Sequence, residues 1–466
     1  MKRIAIIGGG FAGVTAAYEL GRLARNGAAV EPVLFEASNR LGGTVQTSRE
    51  GGYIIEEGPD GWVTEKPWAA DLATELGLAD ELLPSSDHNR RTFVLVDNTL
   101  QAVPDGMRMM VPGDLTAMEA STLFSDEAKK AFHAELTRAQ ELRANTPSGD
   151  ECVASFVRRH FGDEVLAKIG APLLSGVLGG DVDTLSVRAV MAPFVAMERE
   201  HGSLIAAVQA RIAATNGNPR SIFTSLRSGV ATLVDHMVAA IPTASIRLST
   251  EVTQLSRDGD TWLVSRSSAH HPSAPERFDG VMMATPTHTA RTLLAPIDPH
   301  AAALMQMDAT SAVVAAFGFP NAAKLPLPQG FGFLVPADSP SRLLACTFVD
   351  QKYAGRVPEG GRLVRAFFGG AAAERLMRCT NDEIAAVARL ELAHILGPLP
   401  EAEITKVRRL PRSLPQYAVG HLDRMAELNT RIGKLPGLYL LGNGYRGVGL
   451  PDLIRDARAA AQNLSQ

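Results

Sequence analysis

The tightest constraint in this chain lies in its first 36 residues. Ile4-Ala5-Ile6-Ile7 has the composition of a short strand buried on both faces, and it runs directly into Gly8-Gly9-Gly10-Phe11-Ala12-Gly13. The next residues have helical spacing: Val14, Ala17, Tyr18, Leu20 and Leu23-Ala24. A second apolar strand, Val33-Leu34-Phe35, then ends in Glu36, 23 residues beyond Gly13. Strand, G-x-G-x-x-G turn, helix and strand-end acid form the pattern of a dinucleotide site. Gly8 permits the tight turn, Gly10 lets backbone N–H groups approach a pyrophosphate, and Gly13 lets the helix sit against the strand. The helix N-terminus favours the negative charge, and Glu36 suits a ribose hydroxyl.

The three glycines at positions 8 to 10 also interrupt the opening apolar run after four residues, so the start of the chain reads as fold and not as a signal peptide. No stretch approaches the roughly 18 apolar residues of a membrane span. The 466 residues suggest two or three domains, and a net charge of −4 gives no surface suited to nucleic acid. Cys152, Cys346 and Cys379 are too few and too scattered for a disulfide framework, which fits a reducing compartment. His270 and His271 sit in a Ser/Pro-rich loop without a partner at ligand spacing, and read as a solvated turn. The mixed charges of Asp126 to Arg143 read as a solvated helix face.

Further along, Arg40-Leu41-Gly42-Gly43 comes after the second strand, and Glu56-Glu57-Gly58-Pro59 soon after that. Near the C-terminus, the apolar Leu438-Tyr439-Leu440-Leu441 leads into Gly442-Asn443-Gly444-Tyr445-Arg446-Gly447-Val448-Gly449, with Pro451-Asp452 opening a helical run. That arrangement predicts a second anion-stabilising helix end. In the middle, Met282-Met283-Ala284-Thr285-Pro286 reads as another strand end. G-x-G-x-x-G followed by E-x-x-x-R-x-G-G resembles the flavin-containing amine oxidase and porphyrinogen oxidase superfamily.

Three more stretches narrow the resemblance to the oxygen-dependent oxidases of protoporphyrinogen and coproporphyrinogen. They are Phe156 to Glu164 running on through Pro172–Asp181 and Leu185-Ser186; Pro415-Gln416-Tyr417 with Gly420-His421; and Gly442-Asn443 with Tyr445 to Asp452. The resemblance implies an α/β and α+β fold: a discontinuous Rossmann-like FAD-binding domain, a mixed-sheet substrate-binding domain and a helical insertion. The implied boundaries are 1–86, 226–286 and 406–466 for the FAD domain, 87–225 for the helical insertion facing substrate or membrane, and 287–405 for the substrate sheet.

The same resemblance implies an enzyme that removes six electrons from a porphyrinogen in haem biosynthesis, through three flavin reductions, with dioxygen as acceptor and hydrogen peroxide as product. Protoporphyrinogen IX is the first reading of the substrate and coproporphyrinogen III the alternative; an amine or polyene oxidase is a more distant one. No side chain is required as acid or base, because hydride loss from a bridging carbon leaves a cation stabilised by its pyrroles. FAD is expected to be non-covalent, since no Cys lies between Leu410 and Gly442. Its implied contacts are Gly8, Gly10, Phe11, Ala12 and Gly13; Glu36, Ala37 and Arg40; Gly42, Gly43, Gly58 and Pro59; Val252 and Ala284; and Gly442, Asn443, Val448 and Gly449. The implied substrate contacts are Arg91 on a propionate (with Arg90 as the alternative register), Gly176, and Leu334 and Phe367 against the pyrroles. The implied location is the cytoplasm; peripheral membrane contact, product hand-off to a ferrochelatase and a homodimer stay open.

Overall fold

A computed structural model of the chain describes residues 1–214, 221–268, 271–272 and 274–466. The opening strand, β1 (Lys2–Ile7), lies at the centre of a five-stranded parallel sheet. On one side it pairs with β2 (Val30–Phe35), which pairs in turn with Ile246–Arg247; on the other lie Gly280–Met283 and then Leu438–Leu440. Alternate residues of β1 serve different cores. Ile4 and Ile6 pack with helix α1 (Phe11–Arg25) and the C-terminal helix Leu450–Ser465. Ala5 and Ile7 pack with Trp262, Phe278 and Leu428 on the opposite face. A sheet covered on both faces needs the unbroken apolar runs that the sequence supplies. Because all five strands are parallel, Gly8, Glu36, Ala284 and Gly442 emerge near one edge.

A second sheet has seven strands, in the order Ile404–Pro415, Ala309–Phe319, Arg362–Phe368, Ala345–Phe348, Gly332–Leu334, Thr92–Val96 and Thr99–Ala102. Its pairings are antiparallel except that of Gly332–Leu334 with Thr92–Val96. The sequence has four apolar, strand-like runs here, Ala312 to Phe319, Gly330 to Val335, Leu343 to Val349 and Leu363 to Phe368, and each contains a strand. The segment expected as a helical insertion, 87–225, contributes the strands Thr92–Val96 and Thr99–Ala102 to this sheet. Likewise, Ile404–Pro415 joins this sheet and not the parallel one, so the stretch from 406 contributes to both. Neither transfer is visible locally, because a strand's sequence does not name its neighbour.

Much of the described remainder of that insertion is helical, apart from the short strands Met107–Arg108 and Val111–Pro112 and the strand Phe223–Leu226 at its end. Helices Asp126–Thr137, Val153–Val165, Ala171–Leu178, Ala192–His201 and Leu204–Ala214 enclose Phe132, Phe156, Phe161, Val165 and Ile205. The charged stretch from Asp126 to Arg143 departs from the expected solvated face at one place: Glu135 is fully buried. Its carboxylate faces His160 Nδ1 at 3.0 Å and accepts from Ser203 Oγ and the Leu204 amide, both at 2.6 Å. On its other side the His160 ring meets Glu198 Oε1 at 3.3 Å, and Arg159 joins Glu198 to Glu151. His270 lies outside the described residues. Among the described residues no helix is long and apolar enough to cross a membrane.

Burial alone would lower the His160 imidazole, but the hydrogen bonds and charges of Glu135 and Glu198 outweigh it and raise it above its ordinary value. The stabilisation from protonated His160 is therefore complete below about pH 6.5 and is lost as pH rises through the raised value. Thermal midpoints should fall across that interval. His160→Leu, which leaves the buried Glu135 carboxylate without its cation while Glu198 keeps Arg159, should lose about 3–5 kcal/mol at pH 6 and flatten the dependence. A wild-type midpoint that does not fall over this range would contradict the assignment.

Candidate active site

The edge of the parallel sheet is shaped by two glycines. Gly8 has φ +104°, which residues with a side chain rarely adopt. A Cβ on Gly13 would lie 1.9 Å from the Gly8 carbonyl oxygen, so α1 packs directly on the turn that precedes it. The N-terminus of α1 consequently opens at the edge. Gly10 caps it without a side-chain hydrogen bond, the first turn holds no acidic residue, and a Cβ on Gly10 would meet nothing within 4 Å. Such an end is a site for an anion.

The Arg40–Gly43 loop closes over this turn. Gly10 and Gly42 form a bridge, the Gly42 amide donates to the Gly9 carbonyl at 2.8 Å, and Arg40 donates to the carbonyls of Leu41 and Gly43. Burial, together with the positive charge of Arg408, lowers Arg40 below the ordinary guanidinium value. The buried Arg408 Nε has no partner among the described residues. Two guanidinium groups bear on each other beside an uncapped helix end, so the donor set fits a diphosphate. Glu36 accepts from the Gly9 and Ser38 amides at 2.6 and 2.8 Å. Ala37 beside it is exposed, and Val252 is buried on the strand whose first residue, Thr250, donates to the Glu36 carbonyl. Ala284 donates to the Ile7 carbonyl at 2.8 Å, which sets it against Gly8.

The C-terminal turn differs from this. Gly449 caps the helix Leu450–Ser465 without a side-chain bond, but Asp452 lies in the first turn, paired with Lys66 at 2.6 Å and with Arg455. The second helix end expected from the sequence thus already carries an internal countercharge. Val448 packs against the helical core, Tyr445 is buried and Arg446 is exposed.

The seven-stranded sheet supplies a wall. Val94, Leu334, Ala345, Phe367, Val314 and Arg408 are register partners across six strands, and so share one face. Their neighbours Phe93, Phe333, Cys346, Ala366, Ala315 and Val407 face the other way, into a core closed by Ile384, Ala388 and Leu392. Val94 at one end of the row is buried in the helical core, whereas Leu334 and Phe367 are half-buried. A Cβ on Gly176 would lie 3.7 Å from Leu334 Cδ2. Gly176, Leu334 and Phe367, picked from distant parts of the sequence, therefore converge. Arg91 does not join them: it is exposed and paired with Asp105 at 3.4 Å.

Several residues that sequence reasoning missed fasten wall to cradle. Arg365, two positions before Phe367 on the same face, is buried with its guanidinium 5.0 Å from the Phe367 ring. It donates to the Gly58 carbonyl and pairs with Asp60 at 3.5 Å, while Lys352 holds Asp60 at 2.8 Å. Burial pushes Asp60 up, but Lys352 and Arg365 outweigh it and leave its carboxyl below the usual range. Gly58 and Pro59 are thus tied to the wall. The apolar run Leu363 to Phe368 could have suggested Arg365, since its charge interrupts it.

A profile for flavin containing amine oxidoreductases matches residues 11–465. The chain belongs to that family. It is 32% identical to the coproporphyrinogen III oxidase of Bacillus subtilis (strain 168), over 99% of this chain and 97% of that one. With the chloroplastic protoporphyrinogen oxidase of Oryza sativa subsp. japonica it shares 27% identity, over 99% and 87% of the two. A crystal structure from Exiguobacterium sp. 255-15, provisionally assigned as a protoporphyrinogen oxidase, superposes with a TM-score of 0.86 at 30% identity, covering 100% and 98% of the chains. Family membership makes the protein a flavin-dependent oxidoreductase, and the uncapped end of α1 with Arg40 is where this chain suits its flavin's phosphates. Gly13→Ala should therefore abolish flavin retention, leaving less than about a tenth of the wild-type ratio of visible flavin to protein absorbance. Full loading of that variant would contradict the placement.

Proposed function

We propose that the protein oxidises a porphyrinogen to a porphyrin in haem biosynthesis, with non-covalently held FAD, dioxygen as acceptor and hydrogen peroxide as product. The observation that carries the reading is the half-buried face of Leu334 and Phe367, closed by Gly176 and set beside the phosphate cradle. A flat, apolar macrocycle fits such a slot, and the similarity to porphyrinogen oxidases over nearly the whole chain supports it. Bound in the cradle, FAD supplies a hydride acceptor whose electrons pass to dioxygen.

The chain's own residues then position and exclude. Leu334 and Phe367 press on the pyrroles, Gly176 leaves room for the ring, and the wall keeps water from the reacting carbon. Arg91, exposed and paired with Asp105, is the cation for a propionate. No acid–base residue is assigned. Non-covalent binding is supported by the cysteines: none lies between Leu410 and Gly442, and Cys346 is buried on the wall's far face.

Of the two substrates, coproporphyrinogen III is favoured over the protoporphyrinogen IX that the sequence put first. The curated bacterial relatives at 28–32% identity carry the former name, although the Exiguobacterium structure carries the latter. Mixing the holoprotein with coproporphyrinogen III in air should yield coproporphyrin fluorescence and about three peroxides per porphyrin, since six electrons leave in pairs. Porphyrin formation no faster than autoxidation would refute the reading. Arg91→Ala should raise KM at unchanged flavin content, and unaltered kinetics would remove Arg91 from the site.

A further inference from the structure

The segment Pro415–His421 is bonded on both sides, and its two aromatic residues sit at the junction. Toward the helical lobe, the Gln416 side chain donates to the carbonyl of Leu178, the last residue of the helix that carries Gly176, at 3.0 Å. The Ser186 amide donates to the Tyr417 carbonyl at 2.7 Å, and the Val419 amide to the Thr184 carbonyl at 3.0 Å. Asp150 gathers the Ser186 hydroxyl and the Gly420 amide at 2.6 and 2.9 Å. Toward the C-terminal glycine turn, the Tyr417 hydroxyl donates to the Asn443 carbonyl, and His421 Nε2 lies 3.1 Å from the Tyr445 carbonyl. The Asn443 side chain returns a bond to the Ser413 carbonyl at 2.9 Å. The two rings stack with centroids 4.0 Å apart and planes 10° from parallel.

We propose that Tyr417 and His421 are positioning residues that hold the Gly442–Tyr445 turn in register with the substrate lobe, and so set the approach of substrate to flavin. The peptide geometry gives the reason. In a trans peptide the carbonyl and the following N–H point in opposite directions. Pinning the carbonyls of Asn443 and Tyr445 therefore fixes the rotation of the Asn443–Gly444 and Tyr445–Arg446 peptide planes. The lobe that contributes Gly176 is bonded to the same short segment, so a shift of one is passed to the other. His421 is fully buried between Arg424 and Asp150, and burial lowers its pKa to about 4, so the ring is neutral and its one N–H serves Tyr445. Its Nδ1 has no partner among the described residues, which removes the alternative of a ring held chiefly by other bonds.

The proposal rests on the porphyrinogen reading, and two reductants separate them. Coproporphyrinogen III must be seated against the wall before it bleaches the flavin, whereas dithionite needs no seating. In anaerobic mixing, Tyr417→Phe holoprotein should show a fall of about tenfold or more in the rate of bleaching by porphyrinogen, counted per bound flavin, with an unchanged dithionite rate. His421→Leu should behave alike, and His421→Gln, which restores an N–H, should recover most of the rate. Should Tyr417→Phe not fold, the His421 pair carries the same comparison. A wild-type porphyrinogen rate in these variants, or a parallel loss of both rates, overturns the proposal alone. Wild-type protein bleached by dithionite but not by porphyrinogen overturns the substrate reading and the proposal with it.

Discussion

The contact between Gly13 and the Gly8 carbonyl governs more of this molecule than any other. With no side chain in the way, α1 rests on the turn that ends β1, and its free N–H groups open at the carboxyl edge of the parallel sheet. Every other part of the site is arranged around that positive end. Gly42 bonds to Gly9, Glu36 accepts from the same residue's amide, and Ala284 fills the space beside Gly8. An alanine at position 13 would move the helix and withdraw the end from all of them at once.

Against this cradle the seven-stranded sheet brings a wall of different character. Its strands come from 92–102, 309–368 and 404–415, so no contiguous stretch holds it. The register places Leu334, Phe367 and Arg408 in one cross-strand row, with Ala345 and Val314 between them. Arg365 then ties the wall to Gly58, through a buried cluster in which Asp60 stays ionised because two cations flank it. Burying these charges is tolerable only because they are paired, and the pairing fixes one spacing between wall and cradle. Helix Ala171–Leu178 closes the third side, held in place through Gln416.

Legibility depends on range. Gly8 to Glu36 can be read because strand, turn and helix are local, and each residue type has a local reason to be there. The apolar composition of the four strand-like runs from 312 to 368 is equally local. Leu334, Phe367 and Gly176 are reached only by resemblance, since nothing near an apolar strand residue says whether it faces core or slot. Arg408 and Arg365 escape notice because their meaning lies in cross-strand register. Glu135 is misread for a related cause: its partners His160 and Ser203, and Glu198 beyond them, come from other parts of the insertion. A charged helix face looks the same whether or not one carboxylate turns inward. The boundaries at 87 and 406 fail where a strand leaves its neighbours in sequence to pair elsewhere.

The most direct test of the account is an anaerobic titration of the flavin-loaded protein with coproporphyrinogen III, read at the flavin visible band. Bleaching that grows with added porphyrinogen, accompanied by the appearance of porphyrin absorbance, is the predicted result. A fully loaded flavin that stays oxidised in the presence of both coproporphyrinogen III and protoporphyrinogen IX would contradict it.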